Sequence, residues 1–466
     1  MKVTSNNFIP AARVALMDDE MRRSVNQATM TAYQKRLNLM FEAGHAHGEA
    51  LRQQAAQSKR RALSRLPQLL EQAEAKLTAN GAHVLWAADA DEVNWSVMEI
   101  IDQYSVKSVV KSKSMVSEEI GLNHFLEERG VEVVETDLGE YILQLAGEPP
   151  SHIVTPVIHK SLESIRDLFV QELNMPPTDD ARQMGQFARQ VLREKFLAAD
   201  MGITGGNFII AETGTLCLVT NEGNGRMVTS LPRLHVAIVG IEKVVATLED
   251  YATLTQVLPR SATGQAMPVY THMYNGPRKA GETDGPQELY VILVDNGRSE
   301  VYETKYAQVL TCIRCGACMN ACPVYRSTGG HAYGWVYPGP VGAVLTPLLN
   351  GLENARPLPN ASSLCGACKQ VCPVDIDLPQ MLLDLRDDLY QRGDVKGIWK
   401  WGLKLWALGN QSPTLFEWGG RVGRFLSGEN PPAHLPGPLA GWTKYRDFPP
   451  FAKKSFRRQW REKRGG

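Results

Sequence analysis

Seven of the eight cysteines fall in two short clusters, and each cluster closes on Cys-Pro. The first, CIRCGACMNACP, carries Cys312, Cys315, Cys318 and Cys322; the second, LCGACKQVCP, carries Cys365, Cys368 and Cys372. The run C-x2-C-x2-C-x3-C-P is the bacterial ferredoxin spacing, in which three thiolates wrap one iron–sulfur cubane and the fourth reaches its neighbour. The terminal proline stops the ligand loop and sets φ for a new segment. A zinc ribbon would use two C-x2-C pairs without the Cys-Pro ending. The expected cofactors are therefore two iron–sulfur clusters, [4Fe–4S] in type. With the usual crossing, Cys312, Cys315, Cys318 and Cys372 hold the first and Cys322, Cys365 and Cys368 the second.

The second set is one thiolate short. Ferredoxin spacing would place its fourth cysteine where the chain has Ser362. Three outcomes stay open: a [3Fe–4S] cluster, a three-thiolate [4Fe–4S] cluster with serine, histidine or water on the fourth iron, or a ligand from a partner. Ser362 and Ser363 read as loop serines, and His331 as a structural or surface histidine. Cys217, in the apolar run TLCLV, reads as a buried strand residue.

The elements that must position these cysteines follow from patterning. At 466 residues the chain has room for two or three domains. Its 50 basic residues balance 50 acidic ones, which gives nucleic acid no footing as a main partner. No apolar stretch approaches the roughly twenty residues of a membrane span. The first residues lack the apolar core and cleavage site of a secretory signal. Clustered cysteines fit a reducing compartment, so the expected location is cytoplasmic. A tail in which six of nine tryptophans follow Ile398 and which ends KKSFRRQWREKR leaves room for peripheral attachment at the inner membrane face.

Residues from about Asp18 to Leu77 read as helix. Beyond Asn80-Gly81, short β-branched runs alternate with helices: AHVLWAAD, VKSVVKSKS, VEVVETD and SHIVTPVI as strands, DEVNWSVMEIIDQY and EEIGLNHFLEERG as helices. That alternation predicts βαβ units and a largely parallel sheet. A helix is expected over about Asp179 to Ala199, then a hairpin around Thr213-Gly214. LHVAIVG is a buried strand, Glu242 to Gln256 a helix, and ELYVILVDNG the last strand. LPQMLLDLRDDLYQRG is an amphipathic helix after the second motif. The expected division is a helical segment over 1–78, an α/β domain over 79–303, an α-helical ferredoxin domain over 304–385, and a helical or irregular Trp-rich region over 386–466.

No G-x-G-x-x-G or P-loop run is present. Polar groups do gather at strand ends, where open α/β sheets place ligands: Lys111 to Ser114 with Glu118 and Glu119, Glu135 to Asp137 with Glu140, His159 with Lys160, Glu212 to Gly214, and Asn221 to Arg226. Taken singly, each reads first as a capped helix or tight turn. Together they suggest one pocket.

VKSKSMVSEEIGLN, VVETDLGEYILQLAGEPPSHIVTPVIHKS and GGNFIIAETGTLCLVTNEGNGRMVTSLPRLHVAIVGIEKV resemble the lactate-utilization (LUD) domain. With the cysteine motifs and the Trp-rich tail, nearly the whole chain resembles the LutB/YkgF family. The resemblance implies a NagB/RpiA/CoA-transferase-like open sheet and an α-helical ferredoxin module ligated by the seven motif cysteines. It also implies LutA-like and LutC-like partner subunits in oxidising L-lactate to pyruvate. The expected role is an iron–sulfur electron-transfer subunit of that system, with a quinone or cytochrome chain among the acceptors it admits. A second reading makes the LUD domain bind or transform a 2-hydroxy acid or another small carboxylate or phosphate, with Arg226 as clamp and His159 as base. A third is a scaffold in which the clusters are structural.

Overall fold

All seven residues of Leu234–Gly240 are buried, as an apolar run with no polar alternation requires of a central parallel strand. In the computed structural model this strand, β7, lies inside a six-stranded parallel sheet. The structure describes residues 2–393, 397–427, 434–435, 437, 440–444 and 446–464. The other strands are β1 (His83–Ala87), β2 (Ser108–Lys111), β3 (Glu132–Glu135), β4 (Met201–Thr204), β5 (Phe208–Ile210), β6 (Thr215–Thr220), β8 (Val244–Val245), β9 (Tyr270–Tyr274) and β10 (Glu288–Val294). The large sheet runs β1-β10-β7-β4-β2-β3, all parallel. A smaller sheet, β8-β5-β6-β9, holds the hairpin around Thr213-Gly214. One core lies between the large sheet and the helix Ala90–Tyr104, built on Val93, Val97, Ile100, Ile203 and Ile292. A second core packs the opposite face against Leu66–Ala79 through Leu69, Leu77, Val239 and Val291.

The chain divides into two units, Met1–Arg386 and Asp387–Gly466. In the first, the amino-terminal helices Asp19–Met40 and His45–Ser64 reach the cysteine region: Arg36 donates to Val371 O (2.8 Å) and Arg52 to Cys372 O (2.9 Å). The expected helix over 18–77 is thus three helices, the third being Leu66–Ala79. The second unit contains Gly397–Asn410 and Pro413–Ser427, with Trp401, Trp406, Phe416 and Trp418 exposed; the side chains of Trp399 and Trp442 lie outside the described residues.

Three expected elements are corrected. SHIVTPVI is not a strand but a looped segment: His152 Nδ1 accepts from the backbone N–H of Val154 (3.0 Å) and Thr155 (3.1 Å), and Ser151 N–H closes onto Pro156 O. These local bonds take donors a strand would need. The helix expected from Glu242 begins at Leu248, where the Thr247 side chain caps Asp250 N–H; Val244–Val245 pairs with β5 instead. EEIGLNHFLEERG is two short helices, Met115–Glu119 and Leu122–Glu127, parted at Gly121 with φ +68°.

Candidate metal centre and strand-end cavity

The cysteine loops repeat one backbone design. In the first, Arg314 (φ 58°) and Gly316 (φ 75°) flank Cys315; in the second, Leu364 (φ 54°) and Gly366 (φ 83°) flank Cys365. Left-handed residues on either side of a cysteine turn the loop so that successive side chains point inward. Cys312 Sγ accepts the N–H of Arg314 at 3.4 Å, and Ser362 Oγ accepts that of Leu364 at 3.1 Å. Ser362 therefore holds the local place that Cys312 holds in the first loop.

Cys312, Cys315, Cys318 and Cys372 line one small cavity whose other walls include Ile153, Ile313, Val341, Val374 and Ile376. Burial first, then the neighbouring cysteines, pushes Cys315 up to about 12 and Cys372 up to about 11. Buried thiols of this kind give up their protons to metal. Cys322 and Cys368 are likewise raised, first by burial, then by Cys365 at Cys322 and by Cys322 and Cys365 at Cys368. Cys365 is exposed, and its thiol is held below the ordinary value first by the Ala367 backbone N–H and then by the Ser363 side chain. Among the described residues no three His, Cys, Asp or Glu side chains converge tightly enough for a single ion. A cubane asks for something wider, since each thiolate takes a different iron. The donor set fits a cluster: soft sulfurs, an apolar wall and backbone N–H groups on Cys312, Cys322 (3.5 Å) and Cys372 (3.4 Å).

Beside it, at the carboxyl ends of the parallel strands, lies a cavity of ≈ 360 Å³. Its lining includes Lys113 after β2, Asp137 after β3, Asn207 after β4, Lys243 after β7, Glu222, and Arg314 from the first cysteine loop. Below it runs a buried ion network. Arg298, 1% exposed, binds Glu119 through two bonds (2.8 and 2.9 Å) and Glu242 through Nε (2.7 Å). Tyr337 O–H donates to Glu119 at 2.7 Å, Arg314 Nη2 stands 3.4 Å from Glu242, and Lys59 donates to Glu242 O at 2.7 Å. The network ties the sheet, the cysteine region and the amino-terminal helices together.

Several expected site residues lie elsewhere. His159 Nε2 bonds Glu148 at 2.8 Å and its ring meets His331; Arg226 is exposed, and neither His159 nor Arg226 lines the cavity. His331 Nε2 donates to Pro149 O. Glu212 caps Leu248 N–H, and Lys111 is buried against Glu135 (2.7 Å) and Glu118 (3.1 Å), both structural duties. Cys217 is buried in β6. His152 escaped the sequence reading. It is buried and neutral, pushed down to about 3 by burial and then Lys113, with Nε2–H donating to Asn320 Oδ1 (3.2 Å) in the first cysteine loop. The same segment also packs against the chain beyond that loop at Gly330, where a Cβ would stand 1.8 Å from Ser151 O.

Three family descriptions match the chain: LUD domain over residues 70–294, 4Fe-4S dicluster domain over 308–376, and Lactate utilisation protein B, C-terminal over 396–465. Lactate utilization protein B of Bacillus velezensis is 43% identical over 475 residues, covering 100% of this chain and 99% of the relative. This chain belongs to the lactate utilization protein B family. The uncharacterized electron transport protein YkgF of Escherichia coli is 42% identical over 462 residues, covering 98% of this chain and 97% of YkgF. A crystal structure of a duf162 family protein from Deinococcus radiodurans covers 49% of this chain and 98% of its own, at 16% identity and a TM-score of 0.29. As a member of the lactate utilization protein B family, the chain is an iron–sulfur protein of lactate utilisation. No described helix is long and apolar enough to cross a membrane.

The loop repeat makes Ser362 testable. Ser362→Ala removes one hydrogen bond, a loss of about 1 kcal/mol, and is expected to leave iron content unchanged. Ser362→Cys is expected to add a fourth thiolate to the second set and lower its midpoint potential in an EPR-monitored titration. Iron lost in Ser362→Ala would instead identify the serine as a ligand.

Proposed function

We propose that this chain is the iron–sulfur electron-transfer subunit of a multi-subunit system that oxidises L-lactate to pyruvate. The observation that carries the reading is the gathering of Cys312, Cys315, Cys318 and Cys372, from two separate motifs, around one apolar cavity. We assign these four to a first [4Fe–4S] cluster. Cys322, Cys365 and Cys368 are assigned to a second, of three-thiolate [4Fe–4S] or [3Fe–4S] type. Such clusters, when bound, accept and release single electrons at potentials set by charge, hydrogen bonds and solvent exposure.

The chain's own residues prepare those conditions. Ile153, Ile313 and Val374 give the first set an apolar wall. The N–H groups of Arg314 and Ile376 stabilise negative charge on sulfur. Arg36 and Arg52 hold the consecutive carbonyls of Val371 and Cys372. Exposed Cys365 supports an approach of the redox partner at the second set. We further propose the domain limits 79–303, 304–385 and 386–466, and a NagB/RpiA/CoA-transferase-like sheet, which the parallel order β1-β10-β7-β4-β2-β3 supports. Exposed Trp401, Trp406 and Trp418 support a docking role for the carboxyl-terminal unit, toward LutA-like and LutC-like subunits or the inner membrane face. A quinone or cytochrome chain is the proposed final acceptor.

The test is reconstitution. Adding the LutA-like and LutC-like subunits to the chain is expected to give lactate oxidation, and Cys315→Ala to abolish it. Full activity with Cys315→Ala would refute an electron path through the first set.

A further inference from the structure

The cavity above the parallel strands sits where the order of the sheet reverses. From β2 the chain goes outward to β3; from β4 it proceeds the other way, through β7 to β10. Loops diverge at such a switch point and leave a crevice suited to ligands. The loops after β2 and β4 supply Ser112 to Ser114 and Gly205 to Asn207 to the lining. At ≈ 360 Å³ the space is in the range of small-molecule sites.

Two of its cations carry buried donors without a partner. Arg314, with its side chain 9% exposed, reaches Glu242 only through Nη2, and its buried Nη1 has no hydrogen-bond partner. Buried Lys113 Nζ also lacks one, standing 3.4 Å from Glu140 without hydrogen-bond geometry. Lys243 Nζ is 3.9 Å from Glu242, beyond hydrogen-bond reach. Arg314 Nη1 and Lys113 Nζ are thus buried donors left unfilled, which is unfavourable, and a ligand bearing an anionic acceptor group removes that cost. Asp137 and Glu222 line the same cavity. They oppose a dianion and offer acceptors to a hydroxyl, which favours a carboxylate over a phosphate.

We propose that this cavity binds a small organic carboxylate through Arg314, Lys243 and Lys113. The inference goes beyond the electron-transfer reading and does not rest on it, because the cavity can fill whether or not the chain passes electrons. It carries one consequence. Arg314 lies between Cys312 and Cys315, and its N–H donates to Cys312 Sγ, so ligand drawn onto its guanidinium perturbs the first cysteine set.

The experiment is isothermal titration of the anaerobically purified full chain with L-lactate, pyruvate and inorganic phosphate, paired with EPR spectra of the reduced chain with and without each. L-lactate or pyruvate is expected to bind saturably and to shift the EPR signal of one centre. Lys243→Gln and Lys113→Gln, on loops from different strands, are each expected to weaken binding about tenfold, the scale of one lost charge-assisted bond. Arg226→Gln, exposed and outside the lining, leaves it unchanged. No saturable binding of either carboxylate overturns the proposal, as does tighter binding of phosphate or affinity indifferent to both lysine variants. Intact EPR signals in a chain that binds nothing would sink this proposal alone and leave the electron-transfer reading standing.

Discussion

Cys372→Ser is expected to abolish the first iron–sulfur centre while sparing the second, with loss of roughly half the bound iron. Cys372 ends the second motif in sequence, yet its side chain lines the cavity of Cys312, Cys315 and Cys318. Serine offers a harder, less charge-donating oxygen in an apolar wall, and a cubane missing one thiolate there has no solvent-borne substitute. Cys322→Ser is expected to do the reverse, because Cys322 is neighbour to Cys365 and Cys368. Iron and sulfide analysis with EPR separates the two. Loss of the second signal in Cys372→Ser would show that each motif serves its own cluster.

Arg298→Ala is expected to destabilise the chain by about 3–5 kcal/mol, the usual result of removing one member of a buried, hydrogen-bonded ion group. Arg298 is the positive centre between Glu119 and Glu242, both also about 1% exposed or less. It holds Glu119 below its ordinary value against the opposing effect of burial. Without it two carboxylates lose their main counter-charge, and Tyr337 and Arg314, which bond those carboxylates, lose their anchorage. A lower denaturation midpoint is the readout. A change below about 1 kcal/mol would mean that Lys243, Arg314 and Lys59 suffice to compensate Glu242 and that Glu119 takes up a proton.

The cysteine motifs were legible because ligand spacing within one loop is local. Strands β1, β2, β3, β7 and β10 were legible as apolar runs between helical segments. Where side chains compete for backbone donors, the same reading failed. The β-branched residues of SHIVTPVI suggest extension, but His152 accepts two backbone N–H groups and folds the segment into turns. β9 went unread because it lies at the edge of the small sheet, largely exposed, without an apolar run. The clustering of polar loops at strand ends was visible, but not which members share the cavity. His159 and Arg226 looked suitable by type, whereas Lys113, Lys243 and Arg314 are the cations that line it. Nor does sequence show that Arg52 and Lys59, seven apart on His45–Ser64 and so on one helical face, serve Cys372 and Glu242. Pairings across such separations depend on tertiary packing, which periodicity does not encode.

The most direct test of the electron-carrier account is an EPR-monitored redox titration of the isolated, anaerobically purified chain, first with dithionite and then with L-lactate as sole reductant. The account predicts two cluster signals that dithionite reduces reversibly and that L-lactate leaves oxidised. Reduction of either signal by L-lactate alone would contradict it and move lactate chemistry into this chain.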